Sequence, residues 1–285
     1  LAAAVFAEEL GGRLALMGTP AEEGGGGKVY MMDAGAFDDV DAAMMIHPAD
    51  AELVRMDVIA LQQVTVDYHG EAAHAAAFPH RGRNALDACV LGYNNVAAMR
   101  QHMGPGERVH GVITAGGDKP NIVPAYAQSQ WNVRSTTAAR RDRLVERFVD
   151  CVEAGARAAK CVLELSWPGR RFADMIHNRE LGARYRENAG RLGRTVGEPS
   201  AWEQVVASTD MGNVSYAVPS IHPVIQVAPP GTPIHTPEFT EHARGPEGDR
   251  AVVEGAKALA WTVADLWLDA GLMAGARDEW KAAVG

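Results

Sequence analysis

Cysteine is scarce in this sequence. Only Cys89, Cys151 and Cys161 occur, and none forms a C-x-x-C pair. An odd number of scattered cysteines argues against a disulfide framework and reads as free thiols in a reducing cytoplasm. Basic residues are in deficit: 27 Lys and Arg stand against 36 Asp and Glu, a formal net charge of −9. That balance excludes a general nucleic-acid binder, which needs a basic face for phosphates. No apolar run reaches the roughly 18 residues that a membrane span requires, and no segment reads as a signal peptide. H-E-x-x-H is missing, which removes a helix-borne zinc site. G-x-S-x-G is missing too, which removes a serine-elbow hydrolase.

What is present is ordinary globular material. The apolar fraction is 47% and the charged fraction 22%, in the usual range for a packed domain. The opening Leu1–Leu10 reads as the end of a helix closed by Gly11-Gly12. Since the first residue is Leu1, the chain is expected to be the later part of a longer one.

Arg13 to Met17 is expected as a buried strand, Lys28 to Ala34 as a short helix, and Asp41 to Ile46 as a second buried strand stopped by His47-Pro48. From residue 58 the pattern changes. Ile59, Leu61, Val64, Val66 and Tyr68 suggest a half-buried strand with one register slip. A loop follows from Gly70 to Gly82. Asn84 to Met103 reads as a helix with Leu86, Val90, Tyr93, Val96 and Ala97 on one stripe. Strands are expected over Val109–Ala115 and Ala127–Ser135, a Thr137-capped helix through Ala159, and a strand over Cys161–Trp167. The order strand, helix, strand, strand, helix, strand is that of a small ferredoxin-like domain. After Pro168, a helix over Arg179–Gly193, a strand over Ile221–Val227 and a helix over Asp249–Leu268 restore the α/β pattern. The fold class is therefore α/β, with residues 58–168 inserted into a discontinuous domain made of 1–57 and 169–285.

Three motifs could carry chemistry. Glu22-Glu23 precedes four glycines, Gly24 to Gly27, and is expected at the carboxyl end of a strand, where open α/β sheets bind ligands. Adjacent carboxylates point in different directions, so one can hold a metal while the other faces a metal-bound water. A solvated acidic turn is the plain alternative. A phosphate loop at Gly24-Gly25-Gly26-Gly27-Lys28 fails, because Glu22 stands where that motif needs Gly and Val29 where it needs Ser or Thr. His47, ending an apolar run, is either a metal ligand or a hydrogen-bonded core histidine. His235 lies in Gly231-Thr-Pro-Ile-His-Thr-Pro-Glu238, where flanking prolines hold the loop. It is either a metal ligand or part of an ordinary surface loop.

Taken in order, Gly-Thr-Pro-Ala-Glu22-Glu23-Gly, Ile-His47-Pro, Gly70-Glu-Ala-Ala-His74, Asn121-Ile-Val-Pro124, Ser208-Thr-Asp210-Met-Gly and His235-Thr-Pro resemble the family-20 zinc metallopeptidases. That group includes aminoacylases, dipeptidases and aminobenzoyl-glutamate hydrolases, and the resemblance spans essentially the whole chain. It implies a mixed-sheet zinc-peptidase catalytic domain with an inserted ferredoxin-like dimerisation and lid domain. It implies metal-dependent hydrolysis of an amide bond beside a carboxylate, in an N-acyl amino acid, an unusual dipeptide or an aminobenzoyl-glutamate. By resemblance, Glu22 matches the general base, Glu23, His47 and His235 match metal ligands, and His74 matches a histidine that reaches the partner subunit's active site in a homodimer. Asn121 and Arg134 match residues that hold the substrate's carboxylate, and His110 lines the same pocket. Two divalent ions are implied, Zn²⁺ first, with Mn²⁺ or Co²⁺ able to replace it in an N/O site. One departure stands out: the family's Cys-Gly-His or His-x-Asp segment has no counterpart among residues 1–21. A non-catalytic dimeric scaffold lacking those ligands is the rival reading.

Overall fold

A computed structural model describes residues 2–199 and 206–285. In chain order the elements begin with α1 (Ala2–Phe6), α2 (Gly27–Asp33), β1 (Ala43–Met44), β2 (His47–Ala49) and β3 (Asp57–Val58). Then come β4 (Ala60–His69), α3 (Ala85–Arg100), β5 (Arg108–Ala115), β6 (Tyr126–Ser135), α4 (Ala138–Ala158) and β7 (Val162–Ser166). The chain continues with α5 (Arg179–Arg191), β8 (Val206–Ala207), α6 (Met211–Ala217), β9 (Ser220–Ile221) and β10 (Val224–Gln226). It closes with α7 (Pro237–Ala243), α8 (Pro246–Leu268) and α9 (Ala270–Val284). No helix among the described residues is long and apolar enough to cross a membrane.

Two compact units divide the chain. One comprises Leu1–Pro20, Gly27–Val58 and Met175–Gly285; the other comprises Ala21–Gly26 and Ile59–Asp174. The second unit thus runs past the expected boundary at 168 and also takes in Ala21–Gly26, the segment that carries Glu22 and Glu23.

The second unit is a four-stranded antiparallel sheet in the order β5-β6-β4-β7, with two helices on one face. β4 alternates strictly, burying Ala60, Gln62, Val64, Val66 and Tyr68. The expected register slip does not occur, since β4 pairs without a break from Ala60–Ser135 to His69–Tyr126. The inward polar Gln62 is what breaks the apolar pattern. Asn84 caps α3 by accepting from the amides of Leu86 and Asp87, and Thr137 caps α4 by accepting from Arg140 N–H. The buried stripe of α3 is Ala85, Ala88, Cys89, Gly92, Val96 and Met99, so Val90 and Ala97 lie outside it. Close helix approach selects this small-residue face. A Cβ on Gly155 of α4 would lie 2.5 Å from the Ala88 carbonyl oxygen, and one on Gly92 would overlap Tyr68 Oη. The core between sheet and helices holds Tyr68, Trp131, Val133, Leu144, Phe148 and Val152.

The first unit is built on three parallel strand pairs, β1 with β9, β2 with β10, and β3 with β8. Helices α5, α8 and α9 supply the core around Leu181, Tyr185, Ile221, Ala258 and Ala276. Three sequence expectations fail here. Arg13–Met17 is not a strand, and Leu16 is 100% exposed. A five-residue apolar run is not enough to specify one. The expected strand 221–227 is split into β9 and β10, because Pro223 has no N–H to give a ladder. The expected strand 41–46 shrinks to β1, and His47 opens β2, which carries Pro48 within it in register with Ile225, so Pro48 does not stop a strand.

Candidate active site

Glu22 and Glu23 follow Ala21, whose φ of 57° lies in the left-handed region that alanine seldom adopts. The amides of Gly25 and Gly26 both donate to the Ala21 carbonyl oxygen, at 3.0 and 2.9 Å, and curl residues 21–26 into a tight turn. The two carboxylates therefore sit on a turn and not at a strand end, which corrects the expected placement. Holding Ala21 there costs about 1 kcal/mol, and such residues persist where the surroundings fix them. Glu22 is half-buried and Glu23 exposed.

In the first unit, polar groups gather around His47 and His222. His47 Nδ1 donates to the Pro48 carbonyl oxygen at 2.7 Å, which leaves the Nε2 lone pair for another partner. Its ring centre lies 6.0 Å from that of His222. His222 is fully buried, and among the described residues neither of its ring nitrogens has a hydrogen-bond partner. Burial, then the nearby His47 and Lys28, pushes its pKa down to about 3. His177, just before α5, is also pushed down, to about 4, by burial and then Arg55. The Met56 backbone approaches its ring without a well-formed bond. Both imidazoles are thus neutral at pH 7.

Lys28 and Asp210 form a buried ion pair beside this cluster. Lys28 Nζ lies 2.7 Å from Asp210 Oδ1, and the side chains are 4% and 0% exposed. Lys28 N–H also donates to Asp210 Oδ2 at 2.9 Å. Asp210 occupies the N-cap position of α6 but makes no side-chain cap bond there. Thr209 Oγ1 accepts from Met211 N–H in its place.

His235 has φ 62°, again left-handed. Its loop is braced at both ends: Thr236 Oγ1 donates to the Pro233 carbonyl and accepts from Phe239 N–H to cap α7. Gly231 N–H donates to Asp50 Oδ2 at 2.8 Å, tying the loop to the segment just after β2.

The second unit carries the remaining expected residues. His74 is exposed, and its Nδ1 accepts from Ala77 N–H at 3.2 Å. In the neutral ring that bond puts the proton on Nε2, a donor free of the loop's own network. Ala75 N–H donates to the Asn121 carbonyl at 3.0 Å, so the His74 and Asn121 segments run side by side. Arg134 lies on the sheet face opposite Trp131 and Val133, across from Arg108 in β5, while His110 lies across from Asn132. The Arg134 guanidinium is partly desolvated, which lowers its pKa. Burial and then the charges of Arg134 and Arg100 lower that of His110.

Sequence reasoning overlooked His222, His177 and the Lys28–Asp210 pair. A signal for His222 was present, since Ile221-His222-Pro223 repeats the tripeptide Ile46-His47-Pro48. Asp210 stood in a quoted motif without a role.

Residues 61–160 match the peptidase dimerisation domain of M20 peptidases. A mouse Xaa-Arg dipeptidase is 39% identical over 272 residues, covering 94% of this chain and 62% of that protein. This chain carries a peptidase dimerisation domain of the M20 type. The chain spans less than two thirds of the length of that mouse relative. Among solved structures, an aminobenzoyl-glutamate utilization protein from Klebsiella pneumoniae superposes with TM-score 0.69 at 23% identity, over 86% of this chain and 59% of that one. A dinuclear metal-binding M20 peptidase from Bacillus subtilis gives TM-score 0.59 at 15% identity, over 86% and 62%. Both are likenesses of fold.

The donors fit a divalent metal in kind, because a carbonyl-oriented imidazole and a carboxylate are ordinary zinc ligands. In number they do not: among the described residues, no three His, Cys, Asp or Glu side chains gather closely enough to hold an ion.

Proposed function

We propose that the protein hydrolyses an amide bond in a small substrate bearing a carboxylate: an N-acyl amino acid, a dipeptide or an aminobenzoyl-glutamate. The observation that carries this reading is the 39% identity to the mouse Xaa-Arg dipeptidase across 94% of the chain. In this reading Glu23, His47 and His235 hold divalent metal, two ions in all, Zn²⁺ first with Mn²⁺ or Co²⁺ as substitutes. Bound metal would supply a nucleophilic water at neutral pH. Because the described donors fall short in number, no step is routed through it.

The chain's own residues take the remaining roles. Glu22, on its constrained turn, accepts the proton of the attacking water and returns it to the leaving amine. His74 Nε2–H, set as a donor by the Ala77 bond, stabilises the developing oxyanion. Arg134 grips the substrate carboxylate in a bidentate manner, with Asn121 beside it and His110 lining the pocket. The His74 donor acts on the partner subunit's substrate in a homodimer formed through the inserted unit. The edge strand β5, with Val112 60% exposed, is the kind of surface that pairs with a copy of itself. Three free cysteines suit a reducing compartment such as the cytoplasm.

A panel of N-acyl amino acids, dipeptides and aminobenzoyl-glutamate, assayed with and without added zinc, tests the reading. Turnover of at least one amide, lost in Glu22→Gln with metal content unchanged and lost together with metal in Glu23→Gln, is the expected result. The absence of a three-donor cluster among the described residues favours one rival, a non-catalytic dimeric scaffold. No zinc uptake and no turnover on any substrate would establish that rival.

A further inference from the structure

The turn that carries Glu22 and Glu23 leaves the first unit at Pro20 and rejoins it at Gly27. Those two residues touch, since a Cβ on Gly27 would overlap the Pro20 carbonyl oxygen. The residue that follows is Lys28, whose backbone amide and ammonium both bind the one carboxylate of Asp210.

Burying a charged pair is costly, and apolar residues of similar volume are often as stable or more so. General stability therefore does not account for a lysine and an aspartate with almost no exposure. The arrangement has a second peculiarity. A single bond from Lys28 Nζ would fix a side chain, but the added bond from Lys28 N–H fixes the backbone. Asp210 thereby caps the start of α2 from outside, satisfying an amide that has no partner within the helix. Its own helix, α6, goes without that cap. The Asp210 carboxylate is thus committed to the start of α2 and not to that of its own helix, and the return point of the Glu22–Glu23 turn is one residue away.

We infer that Lys28 and Asp210 are a positioning pair: they lock the base of the turn so that Glu22 and Glu23 keep one fixed orientation. Neither residue touches substrate. Their effect passes along the chain, from the Asp210 carboxylate to Lys28 N–H, to Gly27 against Pro20, to a turn already closed by the Gly25 and Gly26 amides on Ala21 O. The inference rests on the proposed hydrolysis only for its kinetic readout.

The test compares wild type with Lys28→Met, Asp210→Asn and the double variant Lys28→Met/Asp210→Leu. The double variant refills the space with apolar groups and guards against a simple failure to fold. Backbone hydrogen exchange is measured by mass spectrometry for residues 21–28 and for the core strands β4 and β6. In the folded double variant, exchange over 21–28 should rise about tenfold or more while β4 and β6 stay protected. Turnover should fall by about 100-fold, as a misplaced catalytic group requires, with KM within about threefold of wild type. Unchanged exchange over 21–28 in the folded double variant would overturn the inference, as would a uniform rise across the whole chain. If wild type turns over no substrate, the proposed hydrolysis fails, and the exchange measurement still decides the role of the pair.

Discussion

The rings of His47 and His222 meet edge to face, 6.0 Å apart, each the middle residue of an Ile-His-Pro tripeptide. One is tied to a backbone carbonyl, and the other is buried, with neither nitrogen bonded among the described residues. A desolvated group without a partner costs about 1–3 kcal/mol. His222→Phe should therefore leave the metal-free protein as stable as wild type or raise its stability by about 1 kcal/mol, read from urea unfolding. If His222 serves a ligand held at His47, added zinc will stabilise wild type more than the Phe variant. Equal zinc stabilisation in both proteins rules out such a service.

His177 predicts a pH dependence. Its folded pKa is lowered to about 4, below the ordinary histidine value of about 6.5. The unfolded chain therefore takes up a proton at a pH where the folded chain does not. Stability is full above about pH 6.5 and falls as pH drops through the window to about 4, by up to about 1.4 kcal/mol per pH unit. His177→Gln should flatten that decline. Unfolding curves at pH 7, 6 and 5 with the same slope in both proteins would count against this.

Arg134→Lys should raise KM for substrates with a free carboxylate and change kcat little, because an ammonium cannot reproduce a bidentate grip. Esterifying the substrate carboxylate should erase the difference between the two enzymes. An unaltered KM would assign Arg134 to the polar surface of the sheet.

At His235 the backbone and the side chain pull in opposite directions. The φ of 62° suits glycine, so His235→Gly should hold stability or raise it by up to about 1 kcal/mol. The same change removes a proposed ligand, so zinc affinity should fall. Thermal denaturation and zinc titration read the two effects separately. A large loss of stability without zinc would show that the ring is needed for folding.

The inserted unit was legible in the sequence almost throughout. Asn84 and Thr137 announce their helices by capping, and β4 and β6 are long enough for alternation to declare itself despite Gln62. The first unit was not. Its strands are two or three residues long, too short for any period, and Pro223 interrupts what looks like a continuous run over 221–227. The face of α3 was misjudged because helix packing there is made by glycine and alanine, which carry little hydrophobic signal. Helices α6, α7 and α9 were not anticipated. Among candidate residues, those in recognisable motifs were named. His222 was passed over although the repeated Ile-His-Pro tripeptide marked it, because a histidine between apolar residues reads equally as part of a buried strand.

The pairing of the first unit's strands has a consequence for synthesis on the ribosome. β1, β2 and β3 all lie before Val58, and all their partners lie between Val206 and Gln226. Everything between emerges first, including the complete four-stranded sheet with its two helices. The nascent chain therefore finishes its middle while its beginning still waits, with Ala43, Met44 and the tripeptide around His47 unpaired for the whole interval. Parallel pairing of this kind cannot be settled locally by a hairpin. The early segment is consequently the part of the molecule that most needs shielding from other chains until translation passes Gln226.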